Sequence, residues 1–501
     1  MSAFRRGFVV LAAGSLLGKV VALLREIVFA GAFGTGAVAS GFRVAQTASL
    51  VPANLISGDL LSAAFAPTYA REIKRNPERA RSMLWGYSFW LALVLMAVAA
   101  FVFVTRRLLV GVMIPGAGAE IIEQAESMLA ILCWVIPLYG VSAVQAYALG
   151  AHGNYLPTST RQTIQSFGLL AGTVLAVWSR WLPWLALGLV AAWLVNSFLC
   201  SRLLVAGGHL SWPGSGDIKY GWRFLTAGAR SIAPLFFLPL AMQASIVLER
   251  VFASLGEYGL IAAVDYARTI SDSVMSVIAV PLGILGLTQL AASSRRDYRR
   301  QVRKMSDFIL VSILPVSALL VVCADPIVEL LFRRGAFGDE AQLLTTSVLV
   351  GLAVGLVFQV LGYSLSRALT AAGRNKVVLF ATLLALGGQV VTQGVGIGAL
   401  GSLAIGLGPS VYGFILTISC AVSLGILWRI ATRLAAALPA VAATCVLMFW
   451  GPAIEWTVIL LVAAWSLNIA VVPVLRAPVQ EQVSPFFAKV RGKIADMRKR
   501  K

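Results

Sequence analysis

Residues 17–55 read LGKVVALLREIVFAGAFGTGAVASGFRVAQTASLVPANL. Apolar side chains dominate on both sides of a short glycine-containing turn, and each side belongs to an apolar stretch of about 20 residues or more, enough to cross a bilayer as a helix. Three cations, Lys19, Arg25 and Arg43, interrupt these stretches. A cation at membrane depth costs at least ~2.5 kcal/mol even on lenient scales, so these side chains are expected to face protein or a ligand rather than lipid.

The whole chain has the composition of a polytopic membrane protein. Of its 501 residues, 59% are hydrophobic and 12% are charged, and the mean hydropathy of +0.86 lies outside the range of soluble domains. At about 20 apolar residues for each crossing, the sequence predicts an all-α protein with about fourteen transmembrane helices. The apolar stretches 127–151, 305–332 and 341–372 are each predicted as one helix.

The distribution of Lys and Arg predicts the orientation. With a cytoplasmic N-terminus, 29 of the 41 Lys and Arg residues fall in segments on the inner side, among them the basic loop 295–304. Six fall in outer loops: Arg106, Arg107, Arg180, Arg250, Arg333 and Arg334. This bias follows the positive-inside rule and predicts that both termini are cytoplasmic. The net charge of +20 is explained in the same way, so nucleic-acid binding is not indicated.

Charged side chains inside the apolar stretches are the candidate functional residues. Basic residues are in excess over acidic ones, since the cations are Lys19, Arg25, Arg43, Arg230, Arg268 and Arg367, and the acids are Glu26, Asp59, Asp265 and Asp272. Because four carboxylates neutralise only part of the positive charge, the excess points to an anionic substrate.

An internal repeat predicts the domain organisation. LLVGVMIPGAGAE (108–120) aligns with VELLFRRGAFGDE (328–340), and AYALGAHGN (146–154) aligns with SRALTAAGR (366–374). Each half holds six helices in the same order, which predicts parallel repeats suited to alternating access. The predicted parts are an N-terminal lobe over 1–222, a C-terminal lobe over 223–430, two further helices over 431–476 and a basic cytoplasmic tail over 477–501.

Cysteine and histidine usage does not indicate a cofactor. The five cysteines lie in apolar runs without a CxxC motif, and two histidines are too few for a histidine-based metal cluster. The outer loops are short and offer no obvious set of catalytic acids, so an enzyme acting on membrane substrates is disfavoured. No metal and no catalytic residue is predicted.

The opening of the chain resembles that of the MurJ/MviN-like lipid II flippases of the multidrug/oligosaccharidyl-lipid/polysaccharide (MOP) exporter superfamily. The shared features are an Arg-acid pair, a Phe-Gly turn and an Ala-Phe-x-Pro segment, found here as Arg25-Glu26, Phe33-Gly34, and Ala64-Phe65 with Pro67. Residues 326–374 are similar to the family's helix 9–10 region with its LF-x-RG-x-F turn. The resemblance implies a flippase for a polyprenyl-diphosphate-linked glycan, located in the bacterial inner membrane.

Departures from the family pattern bear on the substrate. Lys19 stands where the family has an arginine, and PANLISGD (52–59) lacks the family's cation in helix 2. Arg268 matches an arginine of helix 8, but Ser271 replaces the following acid, and the D-x-x-TP pattern reads GRNKVVL. These differences favour a divergent member that moves another cell-wall or surface polysaccharide precursor. Lipid II itself and an ion-coupled multidrug exporter are the alternatives.

Four cations are the predicted ligands of the substrate diphosphate: Lys19, Arg25, Arg43 and Arg268. Arginine binds phosphate with two parallel hydrogen bonds, whereas lysine acts as a point charge. The alternative is internal salt bridges, with Glu26, Asp59, Asp265 and Asp272 as possible partners. Adjacent helix positions point about 100° apart, so Arg25 and Glu26 are not expected to pair, whereas the spacing allows Arg268 to pair with Asp265 or Asp272. The other predicted partners are membrane lipids, and the protein is expected to be a monomer.

Overall fold

The computed structural model describes residues 2–55, 60–210, 221–222, 237–290, 295–450, 454–473 and 475–476. These residues form helices and no strands, which confirms the all-α fold class. In chain order the helices are α1 (Ser2–Phe33), α2 (Ala37–Asn54), α3 (Leu60–Arg75), α4 (Pro77–Met113), α5 (Ala119–Leu132), α6 (Val135–Ala151), α7 (Leu156–Ser179), α8 (Trp184–Ala206), α9 (Phe237–Ser254), α10 (Leu260–Leu290), α11 (Arg295–Val322), α12 (Ala324–Phe332), α13 (Asp339–Val354), α14 (Leu356–Ala371), α15 (Asn375–Leu400), α16 (Ser402–Leu424), α17 (Leu427–Trp450) and α18 (Ile454–Val471).

Many of these helices have the length and composition of membrane spans. Within the described ranges, seven helices are long and apolar enough to cross a bilayer, and the number reaches nine if each of two bent helix pairs counts as one span. Their exposed surfaces are rich in large apolar side chains such as Phe101, Leu108 and Phe198. A water-soluble protein would not leave so much apolar surface exposed, so the fold is that of a polytopic membrane protein.

Two stretches that the sequence predicts as single helices are bent pairs. α5 and α6 meet at 44°, and α13 and α14 meet at 51°. At the first bend, Pro137 has no N–H for the carbonyl of Cys133, which accepts instead from Ile136 N at 3.1 Å. At the second bend, Gly355 N donates to Ser410 Oγ at 3.0 Å, and a Cβ on Gly355 would overlap that serine. The single-helix predictions are therefore wrong at both places.

The predicted helix over 305–332 also needs correction. α11 begins at Arg295, so the basic stretch 295–304 is helical rather than a loop, and the helix ends at Val322. A second helix, α12, follows from Ala324. Pro326 has no N–H to offer the carbonyl of Val322, which favours a break at this point.

The bent pairs recur with the spacing of the sequence repeat. α13 begins at Asp339, 220 residues after α5 begins at Ala119, and α14 ends at Ala371, 220 residues after α6 ends at Ala151. The recurrence of an irregular feature supports a duplicated helical pattern. The lobe boundaries at residues 222, 430 and 476 stay predictions.

The chain has two compact units. Unit 1 comprises Met1–Ile270, Glu329–Thr345 and Gly396–Ile405, and unit 2 comprises Ser271–Val328, Thr346–Val395 and Gly406–Lys501. In unit 2, Val311 of α11 packs in one apolar cluster with Ala440 of α17 and Trp465 of α18. The residues of the ion pairs described in the next subsection all belong to unit 1.

Glycines permit the closest helix packing in unit 1. On α1, a Cβ at Gly14 would lie 2.7 Å from Ser159 Cβ of α7, and one at Gly18 would lie 3.2 Å from Gln162 Cβ. On α7, a Cβ at Gly168 would lie 2.5 Å from the carbonyl oxygen of Gly188 on α8. Small residues four positions apart let membrane helices approach backbone to backbone, because lipid offers no hydrophobic drive for association. This packing fixes α1, and with it the charged residues near its end.

Candidate anion-binding site

A chain of ion pairs begins where α1 meets α2. Glu26 is 1% exposed and pairs with Arg25 on its own helix and with Arg43 on α2. The prediction that Arg25 and Glu26 do not pair is therefore wrong. The long arginine stem lets the guanidinium reach past the 100° offset between adjacent positions, and a buried carboxylate without a partner would be costly.

Asp265 of α10 extends this chain to α9. Its Oδ2 lies 3.6 Å from Arg43 Nε, and its Oδ1 accepts a hydrogen bond of 2.5 Å from Arg250 Nη2. Arg250 also donates from Nη1 to the carbonyl of Ile261 at 2.9 Å. The sequence places Arg250 in an outer loop, and this is wrong. The residue lies in the last turn of α9 and is 5% exposed.

Arg268 has a partner that spacing along its own helix does not indicate. Its Nε donates to Glu249 Oε1 of α9 at 3.0 Å, and its Nη2 donates to Oε2 of the same carboxylate. This is the two-pronged geometry that gives arginine–carboxylate pairs their strength. The prediction of Asp265 or Asp272 as the partner therefore misses Glu249, while Asp265 pairs with Arg250 and Arg43.

Glu249 and Arg250 are functional candidates that sequence reasoning missed. The predicted helix ended at residue 249, five residues before α9 ends at Ser254, and this put Arg250 in a loop. Both residues could have been predicted from the sequence, because α9 and α10 are antiparallel helices joined by a short turn and carry opposite charges on either side of it. Residues at similar distances before and after the turn between these helices can meet, as Arg250 and Asp265 do, and Glu249 meets Arg268 one helical turn further along α10. Pairing opposite charges across that turn predicts both contacts.

The seven residues together form what we call the ion-pair network: Arg25, Glu26, Arg43, Glu249, Arg250, Asp265 and Arg268. Four guanidiniums face three carboxylates, so the network carries one positive charge in excess. The aromatic rings of Phe29 and Tyr266 also stabilise the Arg43 cation, since their centroids lie 4.7 Å and 5.9 Å from Arg43 Cζ. An excess cation in buried surroundings attracts an anion strongly because water screens it little.

Several hydrogen-bond donors of the ion-pair network are open. The Nε atoms of Arg25, Arg43 and Arg250 are buried and have no acceptor within the described part of the chain. Arg43 Nε lies near Asp265 Oδ2, but at 3.6 Å the contact is electrostatic rather than a hydrogen bond. Buried N–H groups are normally satisfied, so open donors on cationic side chains favour an additional acceptor such as a phosphate oxygen.

The remaining predicted residues have different surroundings. Lys19 is half-buried on α1, six residues before Arg25 and thus about 9 Å away along the helix axis. No carboxylate among the described residues lies within salt-bridge distance of it. Asp272 is exposed, and Arg367 lies with its Cζ 5.2 Å from the ring centroid of Tyr363. Asp59 and Arg230 lie outside the described residues.

Sequence comparison assigns the family. The profile of the family described as "Lipid II flippase MurJ" matches residues 29–475. The chain belongs to the MurJ family. Among MurJ relatives named "Probable lipid II flippase MurJ", that of Synechocystis sp. is 24% identical over 70% of this chain and 68% of the relative. That of Rhizobium tropici is 24% identical over 70% and 67%, and that of Thermotoga maritima is 22% identical over 74% and 75%.

Solved structures show the same fold. A structure titled "Lipid II flippase MurJ, inward closed conformation" superposes with a TM-score of 0.80 at 16% identity, covering 96% of this chain and all of that one. An inward-facing multidrug resistance MATE family transporter of the MOP superfamily superposes with a TM-score of 0.65 at 15% identity, covering 82% and 96%. The resemblance to the MurJ family and to the MOP superfamily is therefore confirmed.

Proposed function

We propose that this protein flips lipid II, a polyprenyl-diphosphate-linked cell-wall precursor, from the cytoplasmic to the outer leaflet of the bacterial inner membrane by alternating access. The observation that carries this proposal is the ion-pair network, with its excess positive charge and open guanidinium donors, in a chain that matches the MurJ family over residues 29–475. In this proposal both termini are cytoplasmic, as the distribution of basic residues predicts.

The chemistry of the diphosphate fits these donors. A diphosphate leaving the headgroup layer loses its hydration, and cationic hydrogen-bond donors must replace it. Arginine supplies a planar, permanently charged set of donors that matches phosphate oxygens. The carboxylates Glu26, Glu249 and Asp265 neutralise three of the four guanidinium charges before substrate arrives. The diphosphate then competes with these carboxylates, and each charge-assisted hydrogen bond contributes about 1.5–3 kcal/mol.

The choice of lipid II over another glycan rests on the family match. The departures at Lys19, at 52–59 and at Ser271 favour a different polyprenyl-linked precursor when the sequence is considered alone. Arg250 adds a buried cation to the site and compensates for the cation that PANLISGD (52–59) lacks. The relatives at 22–24% identity are named as lipid II flippases. Both observations favour lipid II.

The multidrug-exporter alternative has less support. A cationic drug needs a carboxylate that is available to it. Glu26 and Asp265 each contact two arginines, and Glu249 is held by both prongs of Arg268. The network is thus arranged to present positive charge, and the likeness to MATE structures extends to the fold alone.

Complementation of a strain depleted of its essential lipid II flippase tests the proposal. The wild-type chain should restore growth at normal expression, and Arg43→Ala should abolish rescue while the protein remains in the membrane. Arg107→Ala is the matched control because that side chain is 91% exposed and lies outside the ion-pair network, so it should rescue normally.

Failure of the well-expressed wild-type chain to rescue, together with loss of a surface polysaccharide when the gene is deleted in its own host, would overturn lipid II as the substrate. The substrate would then be another polyprenyl-linked glycan. Equal rescue by Arg43→Ala and by the wild type would show that transport does not depend on Arg43 of the ion-pair network.

A further inference from the structure

Two turns in unit 1 are joined backbone to backbone. One connects α1 to α2 and the other connects α12 to α13; we call these two segments, residues 31–36 and 333–338, the turn pair. Ala336 N donates to the carbonyl of Gly31 at 2.8 Å. Gly34 and Gly335 both have positive φ, at 54° and 59°. A Cβ on Gly34 would overlap the Ala336 carbonyl, and one on Gly335 would overlap the Gly31 carbonyl. Only glycine therefore allows this approach at either position.

Tyr266 of α10 is buried between the two segments of the turn pair and contacts both. Its hydroxyl donates to the carbonyl of Gly34 at 2.6 Å. Its ring contacts Phe332, the last residue of α12, and Phe337 of the second turn, with centroid distances of 5.3 Å and 5.6 Å. Tyr266 is completely buried. One side chain thus contacts both segments of the turn pair.

The same tyrosine adjoins the ion-pair network. Its ring centroid lies 5.9 Å from Arg43 Cζ, and its chain neighbour Asp265 is a partner of Arg43. A second route runs through Phe29, which contacts Arg43 and packs against Phe33, the residue that ends α1 at the turn pair. Movement of the Arg43 guanidinium therefore changes contacts on both routes to the turn pair.

We propose that Tyr266 is a positioning residue that couples occupancy of the ion-pair network to the state of the turn pair. This inference rests on the proposed function, and in the predicted orientation the turn pair closes the outer face. An anion that binds Arg43 competes with Asp265 for its guanidinium and weakens the cation–aromatic contact with Tyr266. The Tyr266 ring is then held less firmly, so its hydrogen bond to the carbonyl of Gly34 weakens and the turn pair opens. A ligand shifts such an equilibrium only by its differential affinity for the two states, and the Arg43 contacts supply that difference.

A disulfide between the two segments reports on the turn pair directly. A Cβ built on Gly31 lies 3.3 Å from Arg334 Cγ, so Gly31→Cys with Arg334→Cys brings two thiols within reach of each other. The background carries Cys445→Ser, because Cys445 is the exposed one of the five native cysteines and the other four are buried. The two single-cysteine variants control for disulfides formed between molecules.

The experiment measures the oxidation rate of the full chain in liposomes with and without inorganic pyrophosphate, whose binding is measured separately on the same protein. We expect rapid cross-linking without pyrophosphate and a rate at least about fivefold lower at saturation. Tyr266→Phe keeps the ring but removes the hydroxyl, so the rate should become insensitive to pyrophosphate while the affinity for pyrophosphate changes less than about twofold. Tyr258→Phe is the matched control, since Tyr258 is 55% exposed on the turn before α10, and it should behave as wild type.

The outcomes separate the two proposals. If pyrophosphate binds and the cross-linking rate does not change, the coupling is wrong and the proposed substrate site stands. The coupling also fails if Tyr266→Phe keeps the full pyrophosphate response. Absence of pyrophosphate binding to the wild-type chain overturns the anion site and, with it, the coupling.

Discussion

The Arg268–Glu249 pair allows a sharp test of whether an arginine of the ion-pair network serves structure or transport. Glu249 is 3% exposed and Arg268 is 28% exposed, so Arg268→Ala leaves a buried carboxylate without its bidentate partner. Breaking a buried pair in this way costs about 3–5 kcal/mol. Because Arg268 keeps some exposure, we expect a loss near the lower end of that range.

The double variant Arg268→Ala/Glu249→Gln separates the two roles. Glutamine removes the buried charge, so most of the lost stability should return, with non-additivity of about 2 kcal/mol or more between the two changes. If Arg268 binds the diphosphate as proposed, transport should stay absent, because its guanidinium is still missing. The measurements are thermal unfolding in detergent and growth of the flippase-depleted strain.

A surface pair provides the matched control for this cycle. Arg333 pairs with Glu329 and Asp339, but its side chain is 45% exposed and both acids are more exposed still. Arg333→Ala should therefore cost no more than about 1 kcal/mol of thermal stability. If the Arg268→Ala/Glu249→Gln variant regains full transport, Arg268 is a structural residue and its assignment to the diphosphate is refuted. Unchanged thermal stability of Arg268→Ala would contradict the energetic argument itself.

Three further predictions follow from other parts of the chain. His152 and His209 stack at 3.5 Å between ring centroids at the ends of α6 and α8; burial lowers the pKa of both, helped by His209 for His152 and by Arg81 for His209. Because protonation then favours the unfolded chain, thermal stability should fall as the pH drops below about 6.5, and His209→Asn should flatten this dependence between pH 8 and 5; an unaltered slope would contradict it. Gly168→Ala should destabilise the protein in thermal unfolding because its Cβ would lie 2.5 Å from the Gly188 carbonyl oxygen, whereas Gly111→Ala, with nothing within 4 Å, should be neutral or slightly stabilising; equal effects would argue against close α7–α8 packing. Reporter fusions at residues 78, 300 and 495 should report the cytoplasm and fusions at 118, 257 and 337 the outer side, and an inversion among the first three would overturn the predicted orientation.

The fold class could be predicted from composition and apolar run length, because a bilayer demands helices of a set length whose backbone bonds are satisfied internally. The repeat was also readable, since the bent pairs recur at the spacing of the sequence match. The helix breaks could not be predicted from the sequence. The bends after Leu132 and Val354 depend on a missing proline donor and on a serine 55 residues further along the chain. Hydropathy averages over both effects.

For the candidate site, the sequence identified most of the cations and two of their carboxylate partners, Glu26 and Asp265, but not which cation each carboxylate meets. Arg25, Arg43 and Arg268 stood out because charge inside an apolar run is costly, and that cost is visible without a structure. Arg250 was missed because hydropathy ended the predicted helix at residue 249, five residues before α9 ends at Ser254. Glu249, the last residue of that predicted helix, was not counted among the acids inside the apolar stretches.

The sequence by itself determined that this chain is a helical membrane protein with an internal repeat and a surplus of buried cations, because these properties depend on composition and order alone. Only the tertiary structure decided which carboxylate each cation meets, and that Tyr266 contacts both the ion-pair network and the turn pair. Such contacts join residues up to 232 positions apart. They depend on how helices approach one another, and on glycines that permit backbone contact at a few places, so no local pattern encodes them.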